Sequence, residues 1–236
     1  MTGPASPLER RAALEAAVRA AGLAPRGVVR LGRDDGVGAG PDGRPARALL
    51  LVGWRGREGW AAFATSEERR DGRPDPLDRW SRRVIGAVAA AFDGRAVFPF
   101  EMPPPPFQRW AMRAEGLGAS PLGLTIDAET GLWHAYRGAI AVADDLGEEA
   151  AAQVVPCASC ASRSCLSACP ANAFGVTGYD VAACRGFLES HAGGLCRTDG
   201  CRARDACPVG RRHRYAPDQI RFLMSAFRAS LSEISP

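Results

Sequence analysis

The strongest constraint on this chain is that all eight cysteines lie between residues 157 and 207. Each half of that stretch ends in a Cys-Pro pair, at Cys169-Pro170 and at Cys207-Pro208. Four thiolates hold one [4Fe–4S] cluster, and in two-cluster ferredoxins the cysteine that precedes proline ligates the other cluster. Proline suits this position because its fixed φ and missing N–H help the chain to turn. The pattern therefore predicts two clusters with crossed ligands.

The crossed pattern divides the cysteines into two quartets. The first quartet is predicted to be Cys157, Cys160, Cys165 and Cys207. The second quartet is predicted to be Cys169, Cys184, Cys196 and Cys201. The usual bacterial run has two residues between its second and third cysteines, whereas this chain has four. Eleven residues separate Cys184 from Cys196. The loops around the clusters are therefore expected to differ from those of a compact ferredoxin.

Eight cysteines are also compatible with four disulfides or with two structural zinc sites. Disulfides need an oxidising compartment, but residues 1–22 are charged and Ala-rich and lack the apolar core of a signal peptide. No run of 18 apolar residues occurs, so no membrane span is predicted. We expect a cytoplasmic protein with reduced thiols. Zinc stays open, because Cys157 and Cys160 form one Cys-x-x-Cys pair.

Composition places only loose limits on the number of domains and on the functional class of the protein. The 236 residues, 46% of them hydrophobic, suffice for one large domain or two small ones. A net charge of +4 does not indicate nucleic-acid binding by itself. Residues 157–214 contain eight arginines and four acidic residues. This excess suits countercharge for the clusters, or a docking patch for an acidic redox partner or for RNA, densest at Arg211–Arg214.

Hydrophobic periodicity predicts a mixed α and β segment before the cysteines. Ser6, Pro7 and Glu9 form a capping box that opens a helix ending near Gly22. Strands are predicted at 28–31, 48–54, 60–63 and, at a sheet edge, 96–100. Helices are predicted at 75–93 and 107–117. The first of these helices is expected to turn the following residues to the core: Leu77, Trp80, Val84, Val88 and Phe92.

The segment that leads into the cysteines is predicted to be a hairpin of strands 122–127 and 132–142 around Gly131. A last helix is predicted from Pro217 onward. These assignments give an α+β chain with an α/β domain at 1–150, a cysteine-rich module at 151–215 and a C-terminal helix at 216–236. His134 and His191 are candidate functional histidines, the second as a hydrogen-bond donor to a cluster sulfur.

The segment AEGLGASPLGLTIDAETGLWHAYRGAIAV, followed by the eight cysteines, resembles the front part of epoxyqueuosine reductases. In that family an Ala-Gly-Leu-Gly element, a Gly-containing hairpin and a two-cluster ferredoxin module follow in this order. The part GLTIDAETGLWHAYRG also resembles the vitamin B12-processing chaperones. Both families share a flavin-reductase-like α/β domain and bind cobalamin. The resemblance implies that fold, cobalamin or else flavin as a further cofactor, and Gly118, Gly123 and Gly131 as backbone positions at the cofactor site.

Two features depart from the epoxyqueuosine reductase pattern. Glu115 interrupts the Ala-Gly-Leu-Gly element, and Met102 falls where that family carries a catalytic Asp, with Glu101 one residue out of register. No catalytic residue is therefore assigned. The first hypothesis is an electron-transfer protein with two [4Fe–4S] clusters and a redox partner. The alternative is an oxidoreductase, namely a cobalamin-dependent reductase. A zinc-binding RNA-interaction module is the third possibility.

Overall fold

The computed structural model describes residues 6–175 and 178–233. The chain is mixed α and β and divides into two compact units. The first unit contains the residues up to Leu117 together with His134–Gln153. The second contains Gly118–Trp133 together with the residues from Val154 onward. Residues 118–133, which the 1–150 prediction included in the α/β domain, thus group with the cysteine-rich part.

The strands, in chain order, are β1 (Ala24–Arg30), β2 (Ala48–Arg55), β3 (Arg95–Val97), β4 (Gly118–Ala119), β5 (Thr125–Ile126), β6 (His134–Val142), β7 (Phe174–Gly175) and β8 (Gly178–Tyr179). The helices are α1 (Pro7–Ala20), α2 (Trp60–Ala64), α3 (Glu67–Arg70), α4 (Pro76–Ala91), α5 (Phe107–Glu115), α6 (Ser164–Ser167), α7 (Val181–Glu189), α8 (Gly194–Asp199), α9 (Arg202–Asp205) and α10 (Pro217–Glu233). Among the described helices, none combines the length and the apolar character that a bilayer crossing requires.

The first unit is built on an antiparallel sheet with the strand order β1-β2-β6-β3. β2 is buried from Ala48 to Trp54, as its continuous apolar run predicted. β3 lies at the sheet edge, which agrees with the proline that follows it at Pro99. Helix α5 covers the sheet through Trp110, which is 1% exposed.

The first helix confirms its sequence prediction. The Ser6 hydroxyl accepts a hydrogen bond from the Glu9 N–H at 3.3 Å, and the Glu9 carboxylate accepts one from the Ser6 N–H at 2.8 Å. Both partners of the capping box are therefore in place, which satisfies backbone donors that the first turn leaves unpaired. Leu14 and Val18, one turn apart, are buried on the same face.

One prediction in the first unit is wrong, and another, the core face of α4, holds only for Leu77 and Trp80. Residues 60–63 form a helix rather than a strand, because Trp60 and Phe63 both pack on Trp54, with ring centroids at 6.1 and 6.5 Å. In α4 the buried set is Leu77, Trp80, Ser81, Ile85 and Ala89. Val84 and Val88 are only half-buried. The face is rotated because Ile85 packs against Gly138 of β6, where a Cβ would stand 2.8 Å from Ile85 Cδ1.

The predicted 122–142 hairpin is also wrong. β5 pairs with β4, and β6 pairs with β2 and β3 instead. Only the turn is as expected: Asp127 and Gly131 exchange backbone hydrogen bonds at 3.0 and 2.9 Å. β6 is apolar over Gly138–Val142. Pairing with strands on both sides buries more of this apolar surface than pairing with the short 122–127 segment would.

The second unit consists of short helices and turns around an apolar cluster that includes Leu122, Ile126 and Leu132. The predicted C-terminal helix is confirmed as α10. Ile220 and Leu231 of α10 are buried, and half-buried apolar residues of the same helix pack beside them. Those half-buried residues are Leu223, Met224 and Phe227.

Candidate metal centre

The first quartet surrounds one small cavity. Cys157 lies in the 3-10 turn Pro156–Ala158, Cys165 lies on α6, and Cys207 follows α9. Cys160 completes the lining from the loop between them. The cavity measures about 20 Å³, and the apolar part of its wall is Pro121, Ile126, Pro156, Pro208 and Val209. The Cys207 thiol interacts electrostatically with Cys157 and Cys165, although the sequence places it 42 residues beyond the nearer of them.

Backbone geometry supplies hydrogen bonds to this quartet. Arg163 has a left-handed backbone, φ 40°, and caps α6. Its N–H donates to the Cys160 sulfur and is the main reason that the pKa of Cys160 lies below its usual value, with the Ser162 hydroxyl at 3.7 Å as a second partner. Burial raises the pKa of Cys157 and of Cys165. A cation that replaces the thiol protons would relieve that desolvation cost.

The second quartet surrounds a different and larger cavity. Cys169 precedes Pro170, Cys184 lies on α7, Cys196 lies on α8, and Cys201 precedes α9. This cavity measures about 500 Å³. Its wall includes the aromatic rings of Phe174, Tyr179, Phe187 and Phe227. The Cys169 thiol interacts electrostatically with Cys184, Cys196 and Cys201.

Hydrogen-bond donors also point at the second quartet. The Ala173 N–H donates to the Cys169 sulfur at 3.4 Å. The Arg202 N–H donates to Cys196, and the Arg204 N–H donates to Cys201. Burial raises the pKa of each of these two thiols, and the N–H donors oppose that rise.

Tyr179 adds a side-chain donor to the second quartet. Burial raises the pKa of the Cys184 thiol, and a hydrogen bond from the Tyr179 hydroxyl opposes that rise. The pKa of Tyr179 is itself raised, first by burial and then by this hydrogen bond. The phenol therefore stays protonated at neutral pH and can act as a donor.

Arginines beside the quartets are engaged by the second unit itself. The Arg204 guanidinium lies 4.5 Å from the centre of the Trp133 ring and 4.6 Å from that of Tyr215. Arg204 also donates two hydrogen bonds to the Leu132 carbonyl. In the predicted patch Arg211–Arg214, Arg212 pairs with Glu129 at 3.1 Å and Arg214 pairs with Asp205 at 2.5 Å. These pairs agree with a structural role for much of the basic excess.

The structure explains two of the three candidate cofactor glycines by contacts inside the second unit. A Cβ at Gly118 would stand 2.2 Å from Val155 Cγ2, and a Cβ at Gly131, where φ is 61°, would stand 2.2 Å from the Val209 carbonyl oxygen. Gly123, with φ 73°, has open space at that position and lines the second cavity. Contact of these glycines with a cofactor stays a prediction.

The two candidate histidines lie in different units, His134 in the first and His191 in the second. His191 is exposed, at the start of the 3-10 turn His191–Gly193, and is not among the described residues that line either cavity. His134 is half-buried on β6, and its ring lies 5.8 Å from that of Tyr136.

The family's catalytic position is not reproduced. Met102 is 88% exposed, and the neighbouring Glu101 carboxylate accepts a hydrogen bond from the Phe98 N–H at 2.9 Å. Glu101 therefore stabilises its own loop.

Glu115, the residue that interrupts the Ala-Gly-Leu-Gly element, has a structural role in the first unit. Its buried carboxylate pairs with Arg26 at 2.8 Å and with Arg55 at 2.9 Å, and it accepts a hydrogen bond from the Tyr136 hydroxyl at 2.6 Å. A buried carboxylate needs such partners, since loss of one leaves an uncompensated charge. The departure from the family element is thus accompanied by a local ion-pair network.

Ligand geometry distinguishes a cluster from a single ion. All eight cysteines are free thiols. Within residues 6–175 and 178–233, no three cysteine, histidine or carboxylate side chains stand close enough together to hold one metal ion. A tetrahedral zinc site needs all four ligands about 2.0–2.3 Å from one atom. The quartets instead surround cavities.

Sequence reasoning did not identify Tyr179 or Arg204 as contributors to the second site. Tyr179 is five residues before Cys184 in a Gly-rich stretch, and Arg204 is one of eight arginines in the region. The only available signal was proximity to the cysteines, which does not single out either residue.

Comparison with known proteins supports the fold. No protein-family model matches the chain, and no curated protein matches it. Among solved structures, the chain is similar to a crystal structure of epoxyqueuosine reductase with an epoxyqueuosine-modified tRNA-Tyr stem loop. The TM-score is 0.51 at 14% identity, and the match covers 91% of this chain and 71% of that one. The predicted resemblance to epoxyqueuosine reductases is confirmed at the level of the fold.

Proposed function

We propose that this chain is an iron–sulfur oxidoreductase, related to epoxyqueuosine reductases, whose second unit holds two [4Fe–4S] clusters. The observation that carries the proposal is the arrangement of the eight thiols. Residues from both halves of the cysteine stretch contribute to each cavity, with Cys207 in the first and Cys169 in the second. This is the crossed pattern of a two-cluster ferredoxin. We infer that the second unit is a ferredoxin-type module and that the first is a flavin-reductase-like domain.

The residues around each cavity suit a cluster chemically. A four-thiolate cluster carries negative charge and is stabilised by N–H donors and nearby cations. The first cavity has the Arg163 N–H and the second has the N–H groups of Arg202 and Arg204. Arg163 also lines the first cavity, and Arg202 and Arg204 line the second. When bound, such clusters supply one-electron transfer, while the chain supplies thiolates, donors and an apolar enclosure.

The spacing of the thiols favours clusters over zinc. Four irons and four sulfides hold their ligands farther apart than a single ion does. No three described thiols form a single-ion site, yet four thiols line each of two cavities. The zinc-binding RNA module is therefore the weaker hypothesis.

The three candidate glycines give little support for a bound cobalamin or flavin. Gly118 and Gly131 are opposed by atoms of the second unit where a side chain would stand, and only Gly123 leaves open space. These glycines therefore do not by themselves form a cradle for cobalamin or flavin. The fold likeness is what keeps a cobalamin-dependent reductase ahead of a simple electron carrier.

Partners and location remain proposals. An oxidoreductase with two clusters needs a redox partner, and the basic residues of the second unit favour an acidic one. The neighbouring structure contains a tRNA stem loop, so RNA is a second candidate partner. In the Arg211–Arg214 patch, however, Arg212 and Arg214 already pair with carboxylates. A cytoplasmic location would keep the thiols reduced.

The test is the metal content of anaerobically purified protein. We expect about eight iron and about eight sulfide per chain, a brown colour and a broad absorption near about 400 nm. A colourless protein with bound zinc would contradict the proposal. Titration of the cluster-loaded protein with cobalamin and, separately, with FMN then distinguishes the reductase from a carrier. Only a bound corrin or flavin would change its own absorption bands at a fixed stoichiometry, and the absence of both changes would leave electron transfer alone.

A further inference from the structure

Tyr179 occupies a defined position at the wall of the second cavity. It ends β8, which pairs with β7 so that Tyr179 lies opposite Phe174. The two rings are stacked, with centroids 5.0 Å apart and planes 17° apart. Both rings line the cavity that Cys184 also lines. Stacking and strand pairing therefore hold the phenol in one orientation, which is what a directed hydrogen bond requires.

The hydroxyl of Tyr179 interacts with a thiol at the wall of the cavity that both residues line. Its partner is the sulfur of Cys184. In the first quartet, the hydroxyl of the exposed Ser162 lies 3.7 Å from the Cys160 sulfur. Water reaches both side chains, since Tyr179 is 36% exposed, but the stack on Phe174 and the β7–β8 pairing restrict the phenol.

We propose that Tyr179 sets the reduction potential of the second cluster by donating a hydrogen bond to the Cys184 sulfur. The inference rests on the proposed function, because it requires a cluster at the second quartet. Reduction adds negative charge to the cluster and its sulfurs, so a donor stabilises the reduced form more than the oxidised form. The phenol thereby raises the potential of this cluster and leaves the first cluster unaffected.

The experiment is an anaerobic redox titration of the cluster-loaded protein, followed by electron paramagnetic resonance of both clusters. The variant is Tyr179→Phe, which keeps the ring that stacks on Phe174 and removes only the donor. We expect the midpoint potential of the second cluster to become more negative, while that of the first does not change. The matched control is Tyr215→Phe, because the Tyr215 hydroxyl is buried and has no hydrogen-bond partner among residues 6–175 and 178–233. That control should shift neither potential.

A second substitution tests the same hydrogen bond and should shift the midpoint potential of the second cluster in the opposite direction. Fluorotyrosine at position 179 keeps the ring and the hydroxyl but makes the phenol a stronger donor, so we expect a more positive second potential. It also covers the case in which Tyr179→Phe fails to assemble the second cluster. An unshifted second potential in the fluorotyrosine protein or in Tyr179→Phe, with iron still near the wild-type value, overturns the role of Tyr179 alone. A wild-type protein without iron at the second quartet overturns the proposed function and this inference together.

Discussion

The two cysteine quartets present the same four ligands in different surroundings. The first cavity, about 20 Å³, has room for about one water molecule, whereas the second is about 500 Å³. Proline and short aliphatic side chains close the first cavity, while aromatic rings and the α10 side chains Leu223, Met224 and Phe227 close the second. The two cavities therefore differ in size and in the side chains that enclose them.

This difference shows which properties follow from local sequence. The ligands of both quartets come from short, cysteine-dense stretches whose spacing sets the chemistry. The wall of the second cavity depends on α10 and on the β7–β8 pair, which approach only through tertiary packing. We therefore expect the second cluster to respond more strongly to substitutions far from the cysteines. The predictions below test that asymmetry, beginning with the largest expected effect.

The crossed ligands give the largest expected effect. Cys169→Ala should remove the second cluster and leave about four iron per chain, because Cys169 lines the second cavity. Cys207→Ala should do the reverse and remove the first cluster. Iron analysis together with electron paramagnetic resonance identifies the cluster that survives. If Cys169→Ala instead abolished the cluster of Cys157, Cys160 and Cys165, the assignment would be wrong.

Gly131→Ala should damage the first site more than the second. The new Cβ would stand 2.2 Å from the Val209 carbonyl oxygen, in a left-handed backbone, beside the Cys207-Pro208 turn. We expect a loss of about 2–4 kcal/mol in unfolding free energy, from backbone strain and overpacking together. Denaturant unfolding of the cluster-loaded protein, followed at the first-cluster signal, provides the measurement.

Gly123→Ala is the matched control for that experiment. Gly123 is also left-handed, with φ 73°, but has nothing within 4 Å of the Cβ position. Only backbone strain of about 1–2 kcal/mol is expected there. Equal losses in the two variants would show that the contact with Val209 does not matter.

How much could be predicted from the sequence depends on the range of the interactions involved. The division of the cysteines into two quartets rests on local signals, their spacing and the two Cys-Pro pairs, and it stays a prediction, although the thiols line two separate cavities in that grouping. The 122–142 hairpin failed because β6 found partners in β2 and β3, and no local pattern reports that competition. The strand prediction for residues 60–63 was wrong because a four-residue apolar run fits either a strand or a helix.

Buried polar contacts were the least predictable part of the molecule. Glu115 pairs with Arg26, 89 residues away, and with Arg55, 60 residues away. Tyr179 reaches Cys184 because two short strands turn it toward α7. In a chain with 30 basic residues, all arginine, single pairs of this kind have no distinguishing sequence signature. Their positions follow from packing, which one sequence does not reveal.

Arg204→Lys should destabilise the second unit by an intermediate amount. Lysine keeps the charge but cannot reproduce the two hydrogen bonds to Leu132 or the planar contact with Trp133 and Tyr215. We expect a loss of about 2 kcal/mol and faster loss of the second cluster in urea. Arg221→Lys, on the exposed face of α10, is the control and should change neither quantity. If Arg204→Lys behaved like the control, the aromatic contacts would contribute no stability.

The smallest effect is expected at Arg212, close to the first quartet in sequence. Its guanidinium pairs with Glu129 at 3.1 Å, but the two side chains are 74% and 56% exposed. Exposed ion pairs contribute only about 0–1 kcal/mol, because water screens the charges and long side chains lose entropy on pairing. Arg212→Gln should therefore lower the unfolding midpoint by less than about 4 °C, and by still less at high salt. A double-mutant cycle with Glu129→Gln isolates the pair energy. A coupling above about 2 kcal/mol would mean that this pair, and not only the thiols, fixes the loop that carries Cys207.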